Sequence, residues 1–100
     1  MLMTTAKFEA LPESRTTLLE LVKVLVKRSR SEVGCLECDC YQDIMGADRL
    51  LIVSYWTDRQ ALEQHYESGC FKELVGQFTT LVIDAPPSVS LYDVVEIDRF

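Results

Sequence analysis

The chain switches between two periods of hydrophobicity, and each switch marks an element. Residues 2–10 put Leu2, Ala6, Phe8 and Ala10 on one side and Met3, Thr5, Lys7 and Glu9 on the other, the two-residue repeat of a strand. Pro12 breaks the repeat, and Ser14 is placed to cap a helix. From Arg15 to Arg30 the spacing becomes helical, with Leu18, Leu21, Val22 and Leu25 on one side. Glu13 and Glu20 lie early and Lys27, Arg28 and Arg30 late, the order the helix dipole favours. Gly34 can end this segment by taking a positive φ. Residues 36–43 alternate strictly, Leu36, Cys38 and Cys40 against Glu37, Asp39, Tyr41 and Asp43. A turn at 45–48 then joins them to "RLLIVSYW", 49–56, a strand apolar on both faces, as an antiparallel hairpin. Thr57 and Gln60 have the spacing of a capping box. The next helix carries Leu62, His65 and Tyr66 on one side. It is interrupted at Ser68 or Gly69 and resumes through Phe71, Leu74, Val75, Phe78, Leu81 and Val82. "DAPPS", 84–88, stops it, because Pro86 and Pro87 cannot continue a helix. Residues 89–97 read as a last strand.

Strand, helix, strand, strand, helix, strand is the split β-α-β, ferredoxin-like order. The expected fold class is α+β: a four-stranded antiparallel sheet with its helices on one face, in a single domain over residues 1–100. One strand does not fit a lone copy of that fold. Leu51, Val53 and Tyr55 oppose Leu50, Ile52 and Trp56, so both faces of the sheet are apolar while helices cover one. A patch of that size is not left wet in a stable monomer. The expectation is a symmetric homodimer packed sheet against sheet, a dimeric α+β barrel.

Charge narrows the partners. Sixteen acids against ten Lys and Arg give a net charge of −6, with the signs interspersed, and nucleic-acid binding needs a basic footprint. The densest basic stretch, "KVLVKRSR" at 23–30, lies at the expected helix end and is explained there. The N-terminus lacks the charged start and long apolar core of a signal peptide, and no apolar run approaches the roughly 18 residues of a membrane span. The chain therefore reads as soluble and cytoplasmic, with its four cysteines reduced.

Three of those cysteines, Cys35, Cys38 and Cys40, fall within six positions. On a strand, Cys38 and Cys40 have Cβ atoms about 6.5–7 Å apart, whereas a disulfide needs about 3.8 Å. Cys35 precedes the strand at the opposite parity. A zinc site needs four converging ligands, and the other candidates, Cys70 and His65, are distant in sequence. A redox C-x-x-C opens a helix; this one leads into a strand. Cys38 and Cys40 therefore read as small buried hydrophobes.

His65 is the only histidine and the one side chain that exchanges protons near neutrality without special help. It shares a helix face with Leu62 and Tyr66, so it borders any gap between that helix and the sheet. From the residues alone, both a packed structural histidine and a base fit.

"EVGCLECDCYQD", "LLIVSYWTDRQALEQH" and "SGCFKELVGQF" carry Trp56, Asp58, Ala61, Leu62, His65 and Phe71 in an order and spacing that resemble the antibiotic biosynthesis monooxygenase family, small dimeric α+β barrels. The resemblance runs from Ala6 to about Val94. It implies a homodimer with a pocket between helices and sheet in each subunit. For some members it implies oxygenation of small quinol-like or polycyclic aromatic substrates by O₂ with no cofactor: no metal, flavin or haem. On that resemblance His65 is the catalytic base or a hydrogen-bond partner. Trp56 and Phe71 are substrate-binding walls, and Tyr66 and Tyr41 are polar contacts; each also fits plain packing. Ser54 stands where the family often has glutamate, which removes a carboxylate. Haem-degrading relatives use asparagine, tryptophan and histidine, where this chain has Ala6, His65 and Val75 and no asparagine anywhere, so haem degradation is disfavoured. Two other functions remain open on the same scaffold: an isomerase of a small carbonyl metabolite, and a non-catalytic ligand-binding or stress-response module.

Overall fold

In the computed structural model the backbone is described over residues 1–100, and the side chains for all but residues 84–87. The elements are β1 (Leu2–Ala10), a 3-10 turn (Pro12–Ser14), α1 (Arg15–Arg30), β2 (Cys35–Asp43), β3 (Gly46–Trp56), α2 (Arg59–Glu67), α3 (Gly69–Phe78) and β4 (Val82–Asp93). The sheet order is β2-β3-β1-β4, every pair antiparallel. The fold is the α+β, ferredoxin-like one that the order of elements implies.

Register explains which side chains the helices cover. Trp56 pairs with Leu2, Ser54 with Thr4, Ile52 with Ala6 and Leu50 with Phe8, so these residues share one face. That face holds the core. Phe8, Leu18, Val22, Leu25, Leu74 and Phe78 belong to its larger cluster, and Trp56, Ala61 and Leu62 form a smaller one beside it. Tyr55, Val53 and Leu51 pair with Met3, Thr5 and Lys7 on the other face, which no helix covers. No helix is long and apolar enough to cross a membrane.

Several boundaries differ from the sequence reading. The 3-10 turn at Pro12–Ser14 runs directly into α1, and the Ser14 side chain makes no cap. The hairpin turn is only Ile44 and Met45, since Asp43 already pairs with Gly46. Asp58, not Thr57, caps α2: its carboxylate accepts from the Ala61 N–H at 2.9 Å. Thr57 is engaged elsewhere, its N–H donating to the Gly34 carbonyl at 2.8 Å. Ser68 is the break between α2 and α3, and its hydroxyl accepts from the Phe71 N–H at 3.1 Å.

The helix after that break stops at Phe78 rather than Val82, and the last strand is Val82–Asp93 rather than 89–97. Val82 pairs with Ala10 and Ile83 with Glu9, because branched side chains suit a half-buried strand better than a helix end. The strand ends at Asp93, opposite Leu2, where β1 runs out. The stop expected at 84–88 does not end the helix: those residues lie inside β4, and α3 has already ended at Phe78.

A register shift between Cys35 and Glu37 corrects the reading of the cysteines. Cys35 faces Trp56 and Cys38 faces Ser54, so Leu36 is the extra residue and is pushed outward. Cys35 therefore lies on the helix-covered face with Cys38 and Cys40, not at opposite parity.

Candidate active site

His65 projects from the middle of α2 towards the sheet and is 7% exposed. Three aromatic rings surround it: Trp56 at 4.6 Å between ring centroids, Phe71 at 4.8 Å and Tyr66 at 5.4 Å. Each comes from a different local cause. Trp56 is the last residue of β3, fixed by its register with Leu2 and Cys35. Tyr66 is the next residue of α2, and Phe71 sits in the first turn of α3, set by the Ser68 cap. The fourth neighbour is ionic: Glu32, in the turn after α1, places Oε1 2.9 Å from His65 Nδ1. Nε2 has no hydrogen-bond partner among the described residues. Every fully shielded side-chain nitrogen or oxygen among them does have one, so Nε2 reaches accessible space.

A polar chain anchors the box. The Trp56 Nε1–H donates to Ser54 Oγ at 2.9 Å, and Ser54 Oγ also bonds the hydroxyl of Thr4, its cross-strand partner. Both hydroxyls are buried. A bare indole N–H at this depth would cost about 1–3 kcal/mol. Ser54 thus gives the indole a neutral acceptor. Burial pushes the Tyr66 phenol up, partly offset by hydrogen bonding with Thr4, so Tyr66 is held neutral beside His65.

Of the residues singled out in the sequence, the structure brings together His65, Trp56, Tyr66 and Phe71. Tyr41 does not join them. It pairs with Leu51 on the uncovered face of the sheet and is 55% exposed, so strand parity separates it from the imidazole. The rings of Trp56, Phe71 and Tyr66 pack directly around the imidazole. A groove of ≈ 490 Å³ lies instead beside Met3, Tyr55, Glu37 and the C-terminal Val94 and Arg99. Val89 and Leu91 pair with Ala6 and Thr4 and so lie on the helix side of β4, yet they are 57% and 43% exposed. They form an apolar shelf running up to Thr4.

Glu32 and Thr4 were not legible as site residues. Glu32 meets His65 across 33 positions, so no local spacing signals the pair; the one hint is Gly34, which closes the turn at φ +87°. The cysteines are free thiols, and Cys35, Cys38 and Cys40 are set against reactivity. Burial, with the charge of neighbouring groups, pushes the Cys38 thiol up to about 11. Burial and the adjacent Glu32 carboxylate raise Cys35, and burial raises Cys40.

Comparison with known proteins bears on this geometry. The antibiotic biosynthesis monooxygenase family matches residues 1–77. A crystal structure described as an antibiotic biosynthesis monooxygenase is 29% identical, covers 96% of this chain and 100% of its own, and superposes with a TM-score of 0.87. A conserved protein from Methanosarcina mazei Go1 is 26% identical over 91% of this chain and 89% of its own, with a TM-score of 0.86. The uncharacterized protein sll1783 of Synechocystis is 27% identical over 85 residues, 85% of this chain. The match spans 57% of the length of that cyanobacterial relative.

Proposed function

The chain belongs to the antibiotic biosynthesis monooxygenase family, and we propose that it is a monooxygenase acting on a small quinol-like or polycyclic aromatic substrate with O₂, His65 serving as base. The observation that supports this most is the placement of the imidazole: nearly buried, boxed by three aromatic rings, with Nε2 left open. A flat, electron-rich hydroxyarene would lie on the Val89–Leu91 shelf and stack at Tyr66 and Phe71. Nε2 would take its hydroxyl proton. The resulting anion can pass one electron to O₂, and the radical pair can join as a carbon–oxygen bond. The imidazolium returns its proton to the peroxide, the O–O bond breaks, and the ring C–H proton leaves with the departing oxygen. In sum, one hydroxyarene with a free para position and one O₂ give one quinone and one water. Trp56, Tyr66 and Phe71 would keep bulk water away from the intermediates.

The test is oxygen uptake by chelator-treated protein with hydroxynaphthalenes and anthrone-type substrates, with ¹⁸O₂ supplied. The expected result is uptake well above autoxidation and one labelled oxygen in the product. Uptake no faster than the protein-free control across the panel would overturn the proposal. Turnover of an enolisable carbonyl compound without oxygen uptake would instead mark the isomerase, and binding with no turnover the ligand-binding module.

Proteins of this family are typically dimeric, and we extend that to this chain through the uncovered face bearing Met3, Leu51, Val53 and Tyr55. Sedimentation equilibrium is expected to give a dimer, and Val53→Lys, at the centre of that face, a folded monomer. A wild-type monomer at micromolar concentration would remove the assembly.

A further inference from the structure

We infer that Glu32 is a positioning residue that fixes which nitrogen of His65 faces the substrate. The inference rests on the proposal that His65 is the base, but its geometry stands on its own. An ionised carboxylate can only accept a hydrogen bond. Glu32 Oε1 lies 2.9 Å from Nδ1, so the neutral imidazole carries its proton on Nδ1. Nε2 is then a bare lone pair, which is the form a base needs at the open edge. The free imidazole favours the opposite tautomer, so without a partner at Nδ1 the open edge would present an N–H instead.

The surroundings hold the carboxylate to this one role. The guanidinium nearest in sequence, Arg30, is committed elsewhere: Nε–H donates to the Cys38 carbonyl at 2.8 Å and an Nη2–H to Asp39 Oδ1 at 2.7 Å. Among the described residues His65 is the only basic group within ion-pair distance of Glu32. The turn itself is tied at three points. Glu32 N–H donates to the Ser29 carbonyl at 3.1 Å, the Glu32 carbonyl accepts from Cys35 N–H at 3.2 Å, and the Gly34 carbonyl accepts from Thr57 N–H at 2.8 Å. The last bond ties the turn that carries the carboxylate to the start of the helix that carries His65.

His65 is the only histidine, which makes the test unambiguous. In ¹⁵N-labelled wild-type protein, at a pH where the ring is neutral, two-bond ¹H–¹⁵N spectra report which ring nitrogen is protonated. The expected result is Nδ1–H in the wild type, a shift towards Nε2–H in Glu32→Leu, which has no acceptor, and partial recovery in Glu32→Gln, whose amide oxygen can still accept. An Nε2–H wild-type ring, or one unchanged by Glu32→Leu, would overturn the inference. The wild-type spectrum needs no variant to fold. With an active substrate in hand, Glu32→Leu is expected to lower kcat about tenfold with KM little changed. The expected tautomer in a protein that consumes no oxygen would uphold the positioning of the ring and defeat the oxygenase proposal alone.

Discussion

Replacing His65 by alanine is expected to slow oxygen uptake by roughly 10²–10⁴-fold, the usual contribution of a positioned base. The loss should fall on kcat, because the aromatic walls that would bind the substrate remain. His65→Gln serves as the companion variant. It fills most of the same volume inside the box and can still meet Glu32, but it cannot accept a proton. Both variants should therefore lose turnover alike, while only alanine opens a void under Trp56. Steady-state kinetics on the most active substrate of the panel provide the measurement. Retention of activity within a few-fold in both variants would take His65 out of the reaction and leave it as packing.

The second large effect is on folding. Gly34 has φ +87°, and a Cβ built there would lie 2.4 Å from the Ala61 Cβ and 2.9 Å from Thr57 Oγ1. Alanine at this position meets two costs. The left-handed backbone disfavours any β-carbon by roughly 1–2 kcal/mol, and forcing a methyl into a packed contact adds about 1–3 kcal/mol. Gly34→Ala should thus destabilise the protein by about 2–5 kcal/mol, against the 5–15 kcal/mol of total stability common for a domain, of order 10. Gly76→Ala gives the contrast in the same urea titration. Gly76 lies inside α3 with nothing within 4 Å of a new Cβ, so alanine should stabilise by about 1 kcal/mol. A Gly34→Ala loss below about 1 kcal/mol would mean that the turn relaxes away from α2 freely. It would then not be the rigid mount that Glu32 requires.

How far the molecule could be read in advance depended on the range of each interaction. Alternation in β1 and β3 and the helical spacing of Leu18, Val22 and Leu25 are local signals, and they placed the elements and the apolar two-faced strand. Gly34 announced its positive φ because few other residues tolerate one. Errors came where a local rule had two candidates. Thr57 and Asp58 both look like caps, and only the bond from Thr57 to Gly34, across the fold, decides between them. Leu81 and Val82 continue a helical spacing that pairing with β1 overrides. The extra residue at Leu36 has no marker in the sequence, so simple alternation puts Cys35 on the wrong face. The site divided the same way. His65, Trp56, Tyr66 and Phe71 lie within 16 positions and share one short region of the chain, so they could be grouped. Glu32 and Thr4 reach the same place only through tertiary contact, and Tyr41, which the family resemblance groups with Trp56, Phe71 and Tyr66, is turned outward by its strand.

The stacking of the one tryptophan on the one histidine has an optical consequence. Trp56 is fully sequestered from solvent and its ring lies 4.6 Å from the imidazole, so its emission belongs to a dry, apolar surrounding. An imidazolium is a good electron acceptor for an excited indole, and a neutral imidazole is a poor one. Fluorescence intensity therefore carries a continuous record of the charge on that single ring, readable without labels, substrate or substitution.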